Sequence, residues 1–199
     1  MEQQTLKTFF LKRKIIFPYC TLAVFVKPTE DSKEIRTGDR ILAVPVRSTL
    51  DIAWRRKRLA TLSEVVETEP DGESIKITLK GLMRVNVTKF ATYRSAEFRM
   101  LPPRTTESHD WTNETLRKKA QELVFLINVE ESDKLIKLLN YILDLNQMTD
   151  FIANYFVMDF AARYRLYREI DVANRSRMLT VELTSLIRRL TKKRNKSDL

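Results

Sequence analysis

Glycine, cysteine and histidine are scarce in this 199-residue chain, with three glycines, one cysteine and one histidine. Gly38, Gly72 and Gly81 stand too far apart to build a phosphate-cradling loop or a dinucleotide fingerprint, so no nucleotide site is visible and no cofactor is expected. A single Cys and a single His cannot furnish a zinc site of the usual type, and no D-x-D-x-D-G loop offers ligands to Ca²⁺. A Ser-His-Asp triad would need His109, which lies in the polar stretch Thr105–Asp110 and reads as a solvated loop histidine. Cys20 alone permits no internal disulfide and fits a reducing, cytoplasmic setting. Long apolar runs are missing too. Leu22–Val26 falls far short of the ~20 residues that span a bilayer, and nothing resembles a signal-peptide core with its cleavage site. These absences argue against an enzyme and against a membrane protein.

The residues that are present make an ordinary folded composition, 43% hydrophobic and 31% charged. The apolar pattern changes period near Pro103. Before it, short runs rich in branched and aromatic residues alternate with turn signals. Strands are expected over Thr5–Phe10, Ile15–Phe17, Leu22–Val26, Arg40–Arg47, Arg58–Glu67, Ser74–Leu79, Leu82–Thr92 and Ser95–Leu101. Phe17, Leu22 and Phe25 are expected in the core. Pro45 offers no ladder donor and predicts an edge position or a bulge. Pro70-Asp71-Gly72 predicts a turn, and Gly81 a break between two strands. The first 103 residues therefore predict a compact barrel or curled sheet of mostly antiparallel strands.

After Pro103, residues 104–114 read as a polar linker and the spacing becomes helical. Leu116, Ala120, Leu123 and Ile127 mark one stripe. Leu135, Leu138, Leu139 and Ile142 mark a second, behind Ser132 as N-cap. Phe151, Ile152, Tyr155 and Phe156 follow Thr149, a further short helix covers Ala161–Ile170, and Asp171 caps a last helix carrying Leu179, Leu183, Leu186 and Leu190. The expected architecture is α+β: a β unit over 1–103 and a bundle of short helices over 104–199.

The net charge of +10 is unevenly spread. Residues 1–103 hold 19 Lys and Arg against 12 Asp and Glu, 104–187 hold 11 against 13, and 188–199 hold six against one. Trp54-Arg55-Arg56-Lys57-Arg58 is the densest cluster, a tryptophan beside four cations. It suits an exposed loop that stacks a base or grips an acidic segment. The basic end, Lys192-Lys193-Arg194-x-Lys196, reads as a frayed solubilising tail.

Several of these stretches, in order, form a pattern. Phe17-Pro18 precedes Leu22, Phe25 and Val26; Gly38-Asp39 precedes Ile41–Val44; Asp71-Gly72 opens an alternating strand that ends Leu79-Lys80-Gly81-Leu82-x-Arg84; Tyr93, Ala96 and Glu97 lead to Pro102-Pro103. Met148–Ala153 and Glu169-Ile170-Asp171-Val172-x-x-Arg175 follow in the helical half. Taken together, about residues 5–190 resemble the Lon protease N-terminal domain family. Two departures stand out: Pro28–Thr37 leaves room for little more than a turn where the family carries a helix, and Thr21 occupies a usual proline position. The resemblance implies a PUA-like pseudo-barrel followed by an α-helical bundle, without catalysis. It implies a module that captures unfolded or tagged polypeptides for ATP-dependent proteolysis, alongside a separate protease or through self-association. The ATPase and Ser-Lys protease modules of the full protease are not seen in the 199 residues, so the chain reads as a standalone or excised domain. The binding candidates are Trp54, Arg55, Arg56, Arg58, Tyr19 and Arg84, the last as a buried ion-pair former or a ligand contact. The rival reading is an RNA-binding module using the Trp54–Arg58 loop, supported by a pI near 9.8.

Overall fold

The computed structural model describes residues 4–29, 32, 34–48, 50–53, 58–92, 94–104, 110–127 and 132–197. Trp54, Arg55, Arg56 and His109 lie outside the described residues, as does much of the expected linker. The chain divides into two compact units, residues 1–102 and 103–199.

The first unit is a six-stranded mixed sheet: β1 (Gln4–Lys12), β2 (Thr21–Val26), β3 (Arg40–Val46), β4 (Arg58–Asp71), β5 (Ser74–Phe90) and β6 (Ser95–Met100), with a helical turn, α1 (Leu50–Ala53), before β4. The order is β2-β5-β4-β3-β1-β6, and β6 also pairs with β5. That extra pairing closes five strands into a ring and leaves β2 on the outer half of β5. All pairs are antiparallel except β1 with β3.

Strand alternation builds two cores on the two faces of this curled sheet. Leu42, Val44 and Val46 of β3 join Leu62, Val85, Val87 and Phe98 in one. Ile41 and Ala43 of the same strand join Leu11, Val24, Val65, Ile77 and Leu79 in the other. Burial on both faces explains why β3 reads as a continuous apolar run. The β3–β4 ladder covers Arg40–Ala43, so Pro45 sits beyond it on an interior strand, paired only with Leu11 of β1.

Three local expectations need correction. Ile15–Phe17 is irregular and deeply buried instead of a strand. Its backbone is held by side chains and turns; Thr61 Oγ1 donates to the Ile16 carbonyl at 2.8 Å. Gly81 does not end a strand, because β5 runs through it. Its lack of a side chain admits Phe17, whose carbonyl oxygen a Cβ at Gly81 would strike. Phe25 is 57% exposed, because Val24 takes the inward position and alternation turns Phe25 outward.

The second unit holds α2 (Asp110–Ile127), α3 (Ser132–Tyr141), α4 (Leu145–Phe156), α5 (Phe160–Arg168) and α6 (Val172–Ser197). Asp159 and Asp144 are N-caps, accepting from the amides of Ala162 and Gln147. The Asp144 cap starts α4 four residues before Thr149, which is buried inside the helix. Asp171 Oδ1 accepts from the Asn174 amide at 2.8 Å at the start of α6. Leu116, Ala120, Leu123, Leu139, Leu179 and Leu183 are fully buried, whereas Ile127 and Leu138 face solvent. The end expected to fray continues α6 as helix to Ser197. Arg117 of α2 reaches the α3 end, donating from Nε to the Leu139 carbonyl and from Nη2 to that of Ile142.

Candidate functional site

β1 has a neighbour on each side for only part of its length. Against β3 it pairs from Lys7 to Lys12, but against β6 only from Gln4 to Lys7. The Thr8 amide then takes the Arg94 carbonyl at 2.7 Å, and the chain turns away through Ala91 and Thr92, whose amides bond the Ser95 carbonyl. A cleft of about 420 Å³ opens there. Its lining includes Phe9 and Phe10 of β1, Ile41 of β3, Val26 at the end of β2, and Ile35 from the loop before β3. Lys7, Lys27, Glu34 and Arg94 supply its charged groups, and Lys7 Nζ pairs with Glu34 Oε2 at 3.1 Å.

The loop side of the cleft is fixed by Ser32. Its hydroxyl donates toward the carbonyls of Lys27 and Thr29 at 2.9 and 3.0 Å and accepts from the Thr29 amide at 2.8 Å. The described residues of the stretch that reads as a polar turn thus form one wall of the cleft, with Ile35 packed onto the core beneath. A largely apolar pocket of this size, with a few polar groups at its edge, is the usual form of a ligand site.

The described residues among those singled out in the sequence, Tyr19, Arg58 and Arg84, do not line this cleft. Phe17–Cys20 is a β-turn closed by the Cys20 amide on the Phe17 carbonyl at 3.2 Å. Pro18 occupies its second position and Tyr19 its third, with Tyr19 at φ +65°. This is the geometry of a type II turn, which favours glycine where Tyr19 stands. The Tyr19 amide donates to the Gly81 carbonyl at 2.8 Å, and the ring is half exposed. Arg84 is only 5% exposed and lies over the Phe17 ring, 5.9 Å from its centroid. Arg84 thus packs on Phe17, the first residue of the turn that carries Tyr19, and neither residue lines the cleft. Arg58 donates from Nη2 to the Asp51 carbonyl at 2.6 Å and ties β4 to α1. On the outer face of β5, hydrogen bonding to Lys76 and then its charge hold the Glu69 carboxyl below the ordinary carboxylate range. That exposed ladder is solvated structure.

The second unit has a polar centre, besides a smaller cavity of about 240 Å³ between Leu166 of α5 and Met178 of α6. Arg175 and Asp150 are fully buried, with Arg175 Nε 3.3 Å from Asp150 Oδ1. Arg175 also donates to Thr149 Oγ1 at 3.1 Å, to the Glu169 carbonyl at 2.7 Å, and to Asn146 Oδ1. These groups satisfy one another, which fits a lock between α4 and α6.

Among the described residues, no cluster of His, Cys, Asp and Glu could hold a metal ion. No described helix is long and apolar enough to cross a membrane. The first unit is thus a closed sheet with an apolar cleft at a half-paired strand, and the second a set of helices joined by internal polar groups. The chain belongs to the family of ATP-dependent protease La (LON) substrate-binding domains, whose model matches residues 5–185. That domain is non-catalytic and serves substrate recognition for the protease. Two solved structures share the fold. The N-terminal domain of Mycobacterium avium complex Lon protease aligns with TM-score 0.70 at 16% identity, covering 92% of this chain and 98% of the other. A Lon N-terminal domain protein from Xanthomonas campestris aligns with TM-score 0.57 at 13% identity, covering 89% and 98%. Curated protein sequences supply no match.

Proposed function

We propose that this chain captures unfolded or tagged polypeptides for an ATP-dependent protease, and that the cleft beside β1 is where it holds them. The observation that carries this reading is the apolar floor of Phe9, Val26, Ile35 and Ile41 in a cleft with one wall fixed by Ser32. Unfolded chains differ from folded ones in offering apolar side chains to such a floor, and each Å² buried contributes about 25 cal/mol before the costs of association. The basic Trp54–Arg58 segment serves in this reading as an auxiliary grip on acidic stretches.

The test is binding to a reduced, carboxymethylated protein that cannot refold, measured by anisotropy across a salt series. Micromolar binding with mild salt dependence is expected. Ile35→Glu should weaken it about tenfold or more, with an unchanged circular dichroism spectrum. Tight binding of single-stranded RNA that falls by orders of magnitude between about 50 and 200 mM salt, with no binding of the unfolded protein, would establish the RNA reading instead.

A further inference from the structure

We propose that polypeptide enters the cleft by strand addition: an extended segment pairs with the open edge of β1 beyond Thr8, seats an apolar side chain on the cleft floor, and presents acidic residues to the rim. The inference rests on the capture reading above and specifies its geometry and its preferred sequence chemistry.

Four consecutive residues, Lys7, Thr8, Phe9 and Phe10, line the cleft. Phe9, Val26, Ile35 and Ile41 belong to one face, and successive strand residues point to opposite faces, so a cleft that also touches Thr8 and Phe10 extends from that face to the strand's edge. The two cores agree: Phe9 packs against one and Phe10 against the other. Ladder parity gives the direction of the backbone groups. The Arg13 amide donates to the Val46 carbonyl of β3, whereas the Thr8 amide donates to the Arg94 carbonyl on the opposite side. Phe9 and Leu11 therefore direct their amides and carbonyls toward β3, and Phe10 and Lys12 direct theirs away from it, along the line β6 has left. Among the described residues, no strand pairs with β1 on that side after Lys7. Unpaired strand edges of this kind are templates for another extended chain.

Charge narrows the occupant. Among the described residues, the lining holds Lys7, Lys27 and Arg94 against the carboxylate of Glu34, which pairs with Lys7. A second copy would bring the same cationic rim, with Lys12, Arg13 and Lys14 close behind in sequence, against itself. An apolar segment flanked by aspartate or glutamate complements the rim instead.

The probe is a fluorescein-labelled peptide, Asp-Asp-Val-Leu-Phe-Val-Asp-Asp, titrated with the full chain. N-methylation of alternate core residues keeps every side chain and removes the strand-pairing donors. It should weaken binding about tenfold or more. Replacing the flanking Asp by Lys should weaken binding several-fold, by a factor that shrinks as salt rises. Lys27→Glu should reduce that preference with an unchanged circular dichroism spectrum. Amide exchange at Phe10 and Lys12 should slow in the complex. Equal binding of the N-methylated peptide would overturn strand addition and leave capture intact. Capture of the carboxymethylated protein with no binding of this peptide would also overturn it. Failure of both ligands to bind would overturn the capture reading as well. A dimer that protects the same amides and that peptide does not dissociate would assign the edge to a second copy, and so overturn the proposal.

Discussion

The two units place their polar groups in opposite ways. In the β unit, the two core clusters are apolar, with Thr61, Ser63 and Arg84 buried beside them, and part of the β1 edge lies unpaired by any described strand next to a cleft. In the helical unit, a charged pair is fully buried, and hydroxyl, amide and carbonyl groups satisfy the arginine. The first arrangement leaves bonds for another chain to complete. The second completes its bonds internally, and a network of that kind favours one arrangement of the elements it joins. If the cleft holds substrate, as proposed, recognition and rigidity fall to different units.

The largest expected effect breaks the internal lock. Arg175→Leu strands the buried Asp150 carboxylate without its partner and removes the donors to Thr149 and Asn146. Loss of one member of a buried pair costs about 3–5 kcal/mol, which urea denaturation followed by far-UV circular dichroism measures directly. The paired change Asp150→Leu with Arg175→Leu should recover most of that loss, because no charge remains unpaired. A single-variant cost below about 1 kcal/mol would show that the network is no lock, and the contrast between the units would fail.

The same contrast explains what was legible in the sequence. Alternation in Ser74–Leu79 reveals a strand because one face is buried, whereas the continuous apolar run Leu22–Val26 reveals a strand without showing that Phe25 faces outward. Helical spacing likewise reveals Leu116, Ala120 and Leu123. The family resemblance quotes Thr149, Asp150, Asp171 and Arg175 in two separate stretches, but their spacing says nothing about Asp150 and Arg175 touching. The cleft was hidden for a related reason. Ile41 comes beside β1 through the parallel pairing with β3, and Val26 and Ile35 join Phe9 from β2 and a loop, non-local choices that alternation does not encode. Ile15–Phe17 was misread because apolar branched residues suit a strand and a buried irregular segment equally. Its partner is a backbone contact at Gly81, invisible in composition.

Gly81→Ala comes next in size and tests whether the β unit's buried segment is as tightly seated as the helical lock. The new methyl meets the Phe17 carbonyl, a backbone atom already held by the Cys20 amide, and lies close to the Ile16 side chain. Overpacking against atoms that cannot rotate away costs about 1–3 kcal/mol, and the backbone neighbour places this case at the upper end. Denaturant midpoints should fall accordingly. An unchanged midpoint would mean that residues 15–20 yield easily, and that the β unit is the softer of the two.

The smallest effect concerns Tyr19 and has the opposite sign. Its φ of +65° strains a residue that carries a Cβ, whereas glycine adopts it freely. Tyr19→Gly removes that strain and gives up a half-exposed ring, but it also loosens the unfolded chain. The balance at a positive φ favours glycine by about 0.5–1 kcal/mol. Tyr19→Ala keeps the strain and loses the ring, so it should be neutral or slightly destabilising. The two variants together separate backbone from side chain. Neither should alter capture of unfolded protein if the cleft alone holds substrate, because Tyr19 is not among its lining residues. If both weaken capture equally while their stabilities diverge, the ring is a substrate contact. The strained turn then belongs to the recognition surface, which extends beyond the β1 cleft.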